Sequence, residues 1–148
     1  MNVNEFKTLF WDYSRKISDH TSILVNSVCE QHGLTMLQIR ILVEIKQQKY
    51  HTIGSLASRL NLAQANVSTM CKKLEGKGFL ERVRDQGDER VVKVILSPNG
   101  NQAVEEVDQV LINRISASLE EKEEEAFEEI IRGLKKLHEL LEAANQKN

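Results

Sequence analysis

Proline occurs once in the 148 residues, glycine seven times and cysteine twice, and aromatic residues make up 5% of the chain. So little proline and glycine argues against a β-sandwich, a propeller or a collagen-like repeat and leaves a mostly helical protein. Cys29 and Cys71 are too few for a disulfide framework and suit a reducing compartment. No run of consecutive apolar residues is longer than three, where a membrane-spanning helix needs about 20. Met1 to Lys7 also lacks the basic-then-apolar pattern of a secretion signal. A soluble, cytoplasmic protein with no membrane partner is expected. What the chain does have is 41% hydrophobic and 28% charged residues, enough apolar surface for the core of one ordinary domain.

Charge is unevenly spread. The formal net charge is −2, whereas nucleic-acid binding is marked by a surplus of Lys and Arg. Residues 1–49 hold 6 Lys and Arg against 5 Asp and Glu, residues 50–96 hold 8 against 5, and residues 97–148 hold 6 against 12. A basic middle is thus masked by an acidic C-terminal part, where the glutamate-rich run Glu120–Glu129 reads as a solvated helix face.

Apolar residues at Phe6, Leu9, Phe10, Tyr13, Ile17, Leu24 and Val28 mark a first helix from Asn4 to His32, closed by Gly33. Thr35 with Gln38 is a capping box for a second helix carrying Leu37, Ile41, Leu42 and Ile45. Thr52 caps a short third helix with Ile53, Leu56, Ala57 and Leu60 inward, ending near Asn61. A fourth runs from Ala63 to Gly76 with Val67, Met70, Cys71 and Leu74 inward, and Gly76 and Gly78 break it. The period then changes. Phe79, Leu80 and Val83, then Val91 to Leu96, flank the polar Asp85–Glu89 loop as the two strands of a hairpin. Ser97 and Pro98 start a fifth helix with Val104, Val107, Leu111, Ile115 and Leu119 on its stripe. A sixth carries Phe127, Ile130, Ile131, Leu134, Leu137 and Leu141.

Two short helices, a tight turn and a following hairpin make a winged helix-turn-helix, whose later helix enters the DNA major groove. On that helix Gln64, Ala65, Asn66, Ser68, Thr69, Lys72 and Lys73 face outward. Amides and hydroxyls there can read base edges, and Lys72 and Lys73 can neutralise flanking phosphates. Arg90, just after the hairpin tip, can reach into a minor groove, with Asp88 two residues earlier on the same face to hold its guanidinium. Arg82 and Arg84 on the first strand are expected to point outward and add phosphate contacts. The alternative is a winged-helix protein–protein adaptor without DNA binding, which would gain more from exposed apolar residues on the fourth helix. An enzyme is not expected, because the chain has neither a phosphate-binding glycine loop nor a nucleophile elbow, and Gly76-x-Gly78 leads into a strand.

At this point the sequence resembles the MarR family of bacterial transcriptional regulators. The run from Asp88 to Gly100 fits the wing pattern D-x-R-x-x-x-V-x-L-(T/S)-x-x-G at every fixed position. Leu56 to Leu60 and Lys77 to Arg82 are similar to the family as well, and its six-helix plan covers nearly the whole chain. The resemblance implies that Arg90 is the minor-groove residue and Asp88 its orienting partner. It also implies that Ser68, Thr69 and Lys72 face the major groove and that Ser55 touches phosphate.

The architecture expected is mainly α with a small β-hairpin: a DNA-binding winged region over residues 34–97, flanked by long dimerisation helices at 1–33 and 98–148. The first, fifth and sixth helices carry more apolar stripe than a small winged region can cover, so the surplus calls for a second copy. Two-fold pairing would set two recognition helices on a pseudo-palindromic duplex, half-sites about one helical turn apart. By resemblance the protein is a homodimeric repressor relieved by a small aromatic or lipophilic effector, bound near Trp11, Tyr13, His20 and Arg40. No cofactor or metal is expected, since Cys29-x-x-His32 is half a zinc spacing that His20, His51 and His138 do not complete. Cys71 falls on the inward stripe of the fourth helix, where a thiol packs rather than senses oxidants.

Overall fold

The computed structural model describes residues 1–49, 51–118 and 124–146. The expected Leu119 of the fifth stripe and the first residues of the Glu120–Glu129 run lie outside them. Among the described residues six helices and three short strands follow in the order α1 (Val3–His32), α2 (Met36–Gln48), β1 (His51–Thr52), α3 (Ile53–Leu60), α4 (Gln64–Gly76), β2 (Leu80–Arg84), β3 (Val92–Leu96), α5 (Pro98–Ala117) and α6 (Glu124–Asn145). The chain divides into two compact units, Met1–Ile112 and Asn113–Asn148.

Local chemistry sets the helix starts. Asn2, Thr35 and Thr52 each accept from the backbone N–H three residues on, while Glu5, Gln38 and Ser55 reach back to the cap's own N–H. These are reciprocal capping boxes that satisfy two orphan donors at once. Helix α4 differs: Ala63 stands at its cap and offers no side-chain acceptor, so its first-turn N–H groups stay open.

The core of the first unit draws on every element around the helix-turn-helix. Ile41, Leu42 and Ile45 of α2, Leu56 of α3, and Val67, Cys71 and Leu74 of α4 have no exposed surface, and Val94 of β3 joins them. Burial of one such side chain is worth about 1.5–3 kcal/mol. From α1 only Val25, Val28 and Cys29 are buried.

The sheet departs from the expected two-stranded hairpin. It has three strands in the order β1-β3-β2, because His51 and Thr52 pair antiparallel with Val94 and Lys93. A two-residue strand has no alternation to read, and β3's free edge is what recruits it. In the hairpin, Leu80 pairs with Leu96, Arg82 with Val94 and Arg84 with Val92.

The wing root is closely packed. Gly78 turns the chain at φ 82° after α4. Ser97 Oγ donates to the Gly78 carbonyl at 2.6 Å and accepts from the Gly100 N–H at 3.1 Å. A Cβ on Gly100 would stand 1.9 Å from the Phe79 carbonyl oxygen, so only glycine fits. The Ser-x-x-Gly end of the wing pattern is therefore a packing signature. Nearby, His32 Nε2 lies 2.7 Å from Glu106 Oε2 of α5, its ring edge-on to Phe79, and Lys77 Nζ donates to the Gly33 carbonyl at 2.7 Å. The His32 hydrogen bond holds the Glu106 carboxyl below the ordinary carboxylate range.

The long helices look different. Along α1, Phe6, Leu9, Trp11, Tyr13, Ile17 and Ile23 are exposed, and in the second unit so are Phe127, Ile130, Ile131, Leu134 and Leu141 of α6. No helix among the described residues is long and apolar enough to cross a membrane.

Candidate nucleic-acid interface

The outer face of α4 follows from its inner one. With Val67, Cys71 and Leu74 locked in the core, the 3.6-residue period turns Gln64, Ala65, Asn66, Thr69, Lys72 and Lys73 to solvent, and Ser68 is half-buried beside them. Thr69 Oγ1 donates to the Ala65 carbonyl at 3.0 Å, which leaves its oxygen outward as an acceptor. The Gln64 amide lies over Gly54 of α3, where a Cβ would come within 2.9 Å of Nε2. Burial pushes the Cys71 thiol up to about 11, so it is no reactive thiolate.

At the wing tip, Asp88 Oδ1 accepts from the Arg90 backbone N–H at 3.1 Å and from Nε at 3.3 Å. The Arg90 side chain is 92% exposed, so Asp88 orients the guanidinium without covering it. Arg84 Nη1 donates to the Glu89 carbonyl at 3.0 Å, and Lys93 pairs with Asp85 at 3.1 Å.

Arg82 is exposed, as the sequence suggested, but it is held by α4. Its partner across the hairpin is buried Val94. That places it on the side packed against the helices, where Nε donates to Glu75 Oε2 of α4 at 2.6 Å.

A surface cleft of about 560 Å³ joins three elements: Thr52, Ile53 and Gly54 at the start of α3, Gln64, Ala65 and Ser68 of α4, and Arg90, Val91 and Val92 of the wing. The structure thus brings Gln64, Ser68 and Arg90 to one face. Asn66, Thr69, Lys72 and Lys73 extend the exposed face of α4. Ser55 lines a separate small cleft with Gln48, His51 and Arg59. Its hydroxyl oxygen accepts from the Thr52 N–H at 3.1 Å and lies 3.2 Å from Nδ1 of buried His51. His51 Nε2 is 3.2 Å from the Glu44 carbonyl oxygen, and the Glu44 carboxylate is paired with Arg59 at 2.8 Å.

Sequence reasoning did not single out Gly54, His51 or the Glu44–Arg59 pair for the interface. A glycine in the first turn of a capped helix is a readable signal for close approach, whereas the ion pair spans 15 residues and leaves no local trace. Trp11, Tyr13, His20 and Arg40 are all solvent-exposed. Among the described residues no three His, Cys, Asp or Glu side chains cluster to hold a metal.

Comparison with known proteins bears on this geometry. A sequence model of the MarR family matches residues 34–92. The HTH-type transcriptional regulator SarZ of Staphylococcus haemolyticus is 31% identical over 71 residues, 48% of either chain. The matched stretch therefore spans about half the length of that curated relative. The transcriptional regulator BldR of Sulfolobus solfataricus superposes with a TM-score of 0.72 at 28% identity, over 94% of this chain and 99% of that one. A MarR family protein of Bacillus stearothermophilus superposes with a TM-score of 0.77 at 23% identity, over 95% and 98%. The fold, the wing pattern and the matched residues agree, and over residues 34–92 this chain is similar to the MarR family.

Proposed function

We propose that this protein is a sequence-specific, double-stranded DNA-binding transcriptional regulator that acts as a homodimer. The observation that carries the reading is the convergence of the α3 start, the polar face of α4 and Arg90 on one cleft. Gln64, Asn66, Ser68 and Thr69 are assigned to base edges and Lys72 and Lys73 to phosphates in and beside the major groove. Arg90, oriented by Asp88, is assigned to the adjacent minor groove, and Arg84 and Ser55 to the backbone. The open first turn of α4 adds N–H donors suited to a phosphate oxygen. Among the described residues α4 has no exposed large apolar side chain, which favours DNA over a protein-docking role.

In this reading residues 34–97 form the DNA-binding part, and residues 1–33 and 98–148 pair two copies through their exposed apolar stripes. A small aromatic or lipophilic effector would act by favouring one separation of the two recognition helices, and so relieve repression. The reading is of a binding protein rather than an enzyme.

Selection of bound duplexes from a random pool, followed by affinity of the winner at two salt concentrations, tests the proposal. A roughly palindromic winner with a steep salt slope is expected. No enrichment, with weak binding at low salt only, would hand the fold to the adaptor role.

A further inference from the structure

The basic residues of the wing are not equivalent. Residues directly opposite across the hairpin share a face, so Leu80, Arg82 and Arg84 lie with Leu96, Val94 and Val92, while Glu81 and Val83 lie with Ile95 and Lys93. Leu80 and Val94 are buried and Val83 is exposed, which identifies the first side as the packed one. Arg82 sits in the middle of it. Its Nε meets Glu75 Oε2 at 2.6 Å, and the two side chains are 33% and 35% exposed. Glu75 lies in the last turn of α4, where a carboxylate faces the negative end of the helix dipole and, in a groove-binding helix, the phosphates too. Arg82 offsets both.

We propose that the Arg82–Glu75 ion pair is a strut that fixes the wing to the recognition helix, making Arg82 a positioning residue for Arg90 and not a DNA contact. The inference rests on the DNA-binding reading above and specifies how that interface is held. Strand β1 pairs with β3 only at Lys93 and Val94, so the hairpin beyond Val92 has no third strand beside it. Arg82, opposite Val94, ties the wing to α4 one residue short of the last level that β1 supports, Lys93. Arg90 is four residues from Val94, at most roughly 13 Å at about 3.3 Å per residue. A rotation of about 10° at the root would carry the tip about 2 Å over that length, well beyond the tolerance of about 0.5 Å for a preorganised contact. With the strut in place α4 and Arg90 meet adjacent grooves as one body, and the second contact is made without a further loss of freedom.

The test is binding to the selected duplex over a range of salt for Arg82→Met, Glu75→Gln and the charge swap Arg82→Glu with Glu75→Arg, each with and without Arg90→Ala. Circular dichroism and solution mass report the fold. Arg82→Met is expected to weaken binding about tenfold, the scale of a coupled pair, with the salt slope unchanged because no phosphate contact is lost. The swap should recover most of that loss, and Arg90→Ala should matter less in the Arg82→Met background than in the wild type. A salt slope lower by about one, with no recovery in the swap, would make Arg82 a direct phosphate contact and overturn the strut. Unchanged affinity with a full Arg90→Ala effect in both backgrounds would reduce the pair to an ordinary surface ion pair. If the Arg82 variants fail to fold, the near-isosteric Glu75→Gln carries the same comparisons. A wild type that binds no duplex contradicts the DNA-binding reading itself, and the strut with it.

Discussion

Between Leu34 and Val94 the chain covers most of its large apolar residues, Val83 of the wing excepted, and along most of α1 and α6 it does not. Leu56, Val67, Leu74 and Val94 have no exposed surface, whereas Trp11 is 67% exposed, Ile17 58% and Ile130 57%. Both regions carry a helical stripe of similar residues, so the difference lies in what each stripe is offered. The helix-turn-helix closes on the sheet within one chain. The long helices present faces with the character of one half of an interface, which in the proposed homodimer a second copy related by a two-fold axis completes. The contrast separates two kinds of stability, one set by the chain alone and one set by protomer concentration.

Substitutions in each region should act on one kind of stability and spare the other. Leu56→Ala leaves a cavity in the self-sufficient core and should cost about 3–4 kcal/mol, the same at every protein concentration in urea unfolding. Ile130→Glu in α6 should leave the far-UV spectrum intact and weaken the dimer by about 2–3 kcal/mol, each lost contact counting twice in a two-fold interface. Sedimentation across a concentration series reads this directly, and an unchanged mass would remove α6 from the interface. Arg90→Ala should touch neither stability and yet weaken binding to the selected duplex by about 2 kcal/mol, the scale of one groove contact. Lys72→Ala should lower the salt slope of binding by about one unit, and an unaltered slope would move Lys72 off the phosphates.

The smallest expected effect concerns pH and the junction of α1 with α5. His32 holds the Glu106 carboxyl below its ordinary value, so in the carboxylate range the unfolded chain binds more protons there than the folded one. That contribution is complete above the unfolded value and is lost as pH falls through the lower, folded one. Glu106→Gln should therefore flatten the acid side of the stability curve by lowering stability slightly at neutral pH and leaving the acid limit almost unchanged, as urea midpoints measured down to acid pH would show.

The fold was legible to different depths in these regions. The capping boxes at Thr35 and Thr52, the stripe of α4 and the hairpin all rest on residues within four positions of one another, the range over which periodicity and cap chemistry act. The third strand was not readable, because His51 and Thr52 pair only once β3 lies beside them. For the candidate interface, the exposed row of α4 and the Asp88–Arg90 pair came from spacing alone. Arg82 is exposed as read, but its ion pair was not legible: alternation tells that Arg82 and Val83 point to opposite sides, but not which side lies beside α4. Charge suggested a free outward side chain for Arg82, and Glu75 of α4 pairs with it. The His51 contact behind Ser55 likewise depends on a buried strand meeting a helix start. Gly100 shows the reverse case, a motif position whose reason is the Phe79 carbonyl beside it.

In the proposed assembly, the helix faces left bare in one chain pair two copies so that two polar α4 faces meet one duplex. Native mass spectrometry of the selected duplex with the wild-type protein tests it most directly. Two chains per duplex, with no complex containing a single chain at low protein concentration, is the predicted result. A stable complex of one chain on one duplex would contradict this assembly.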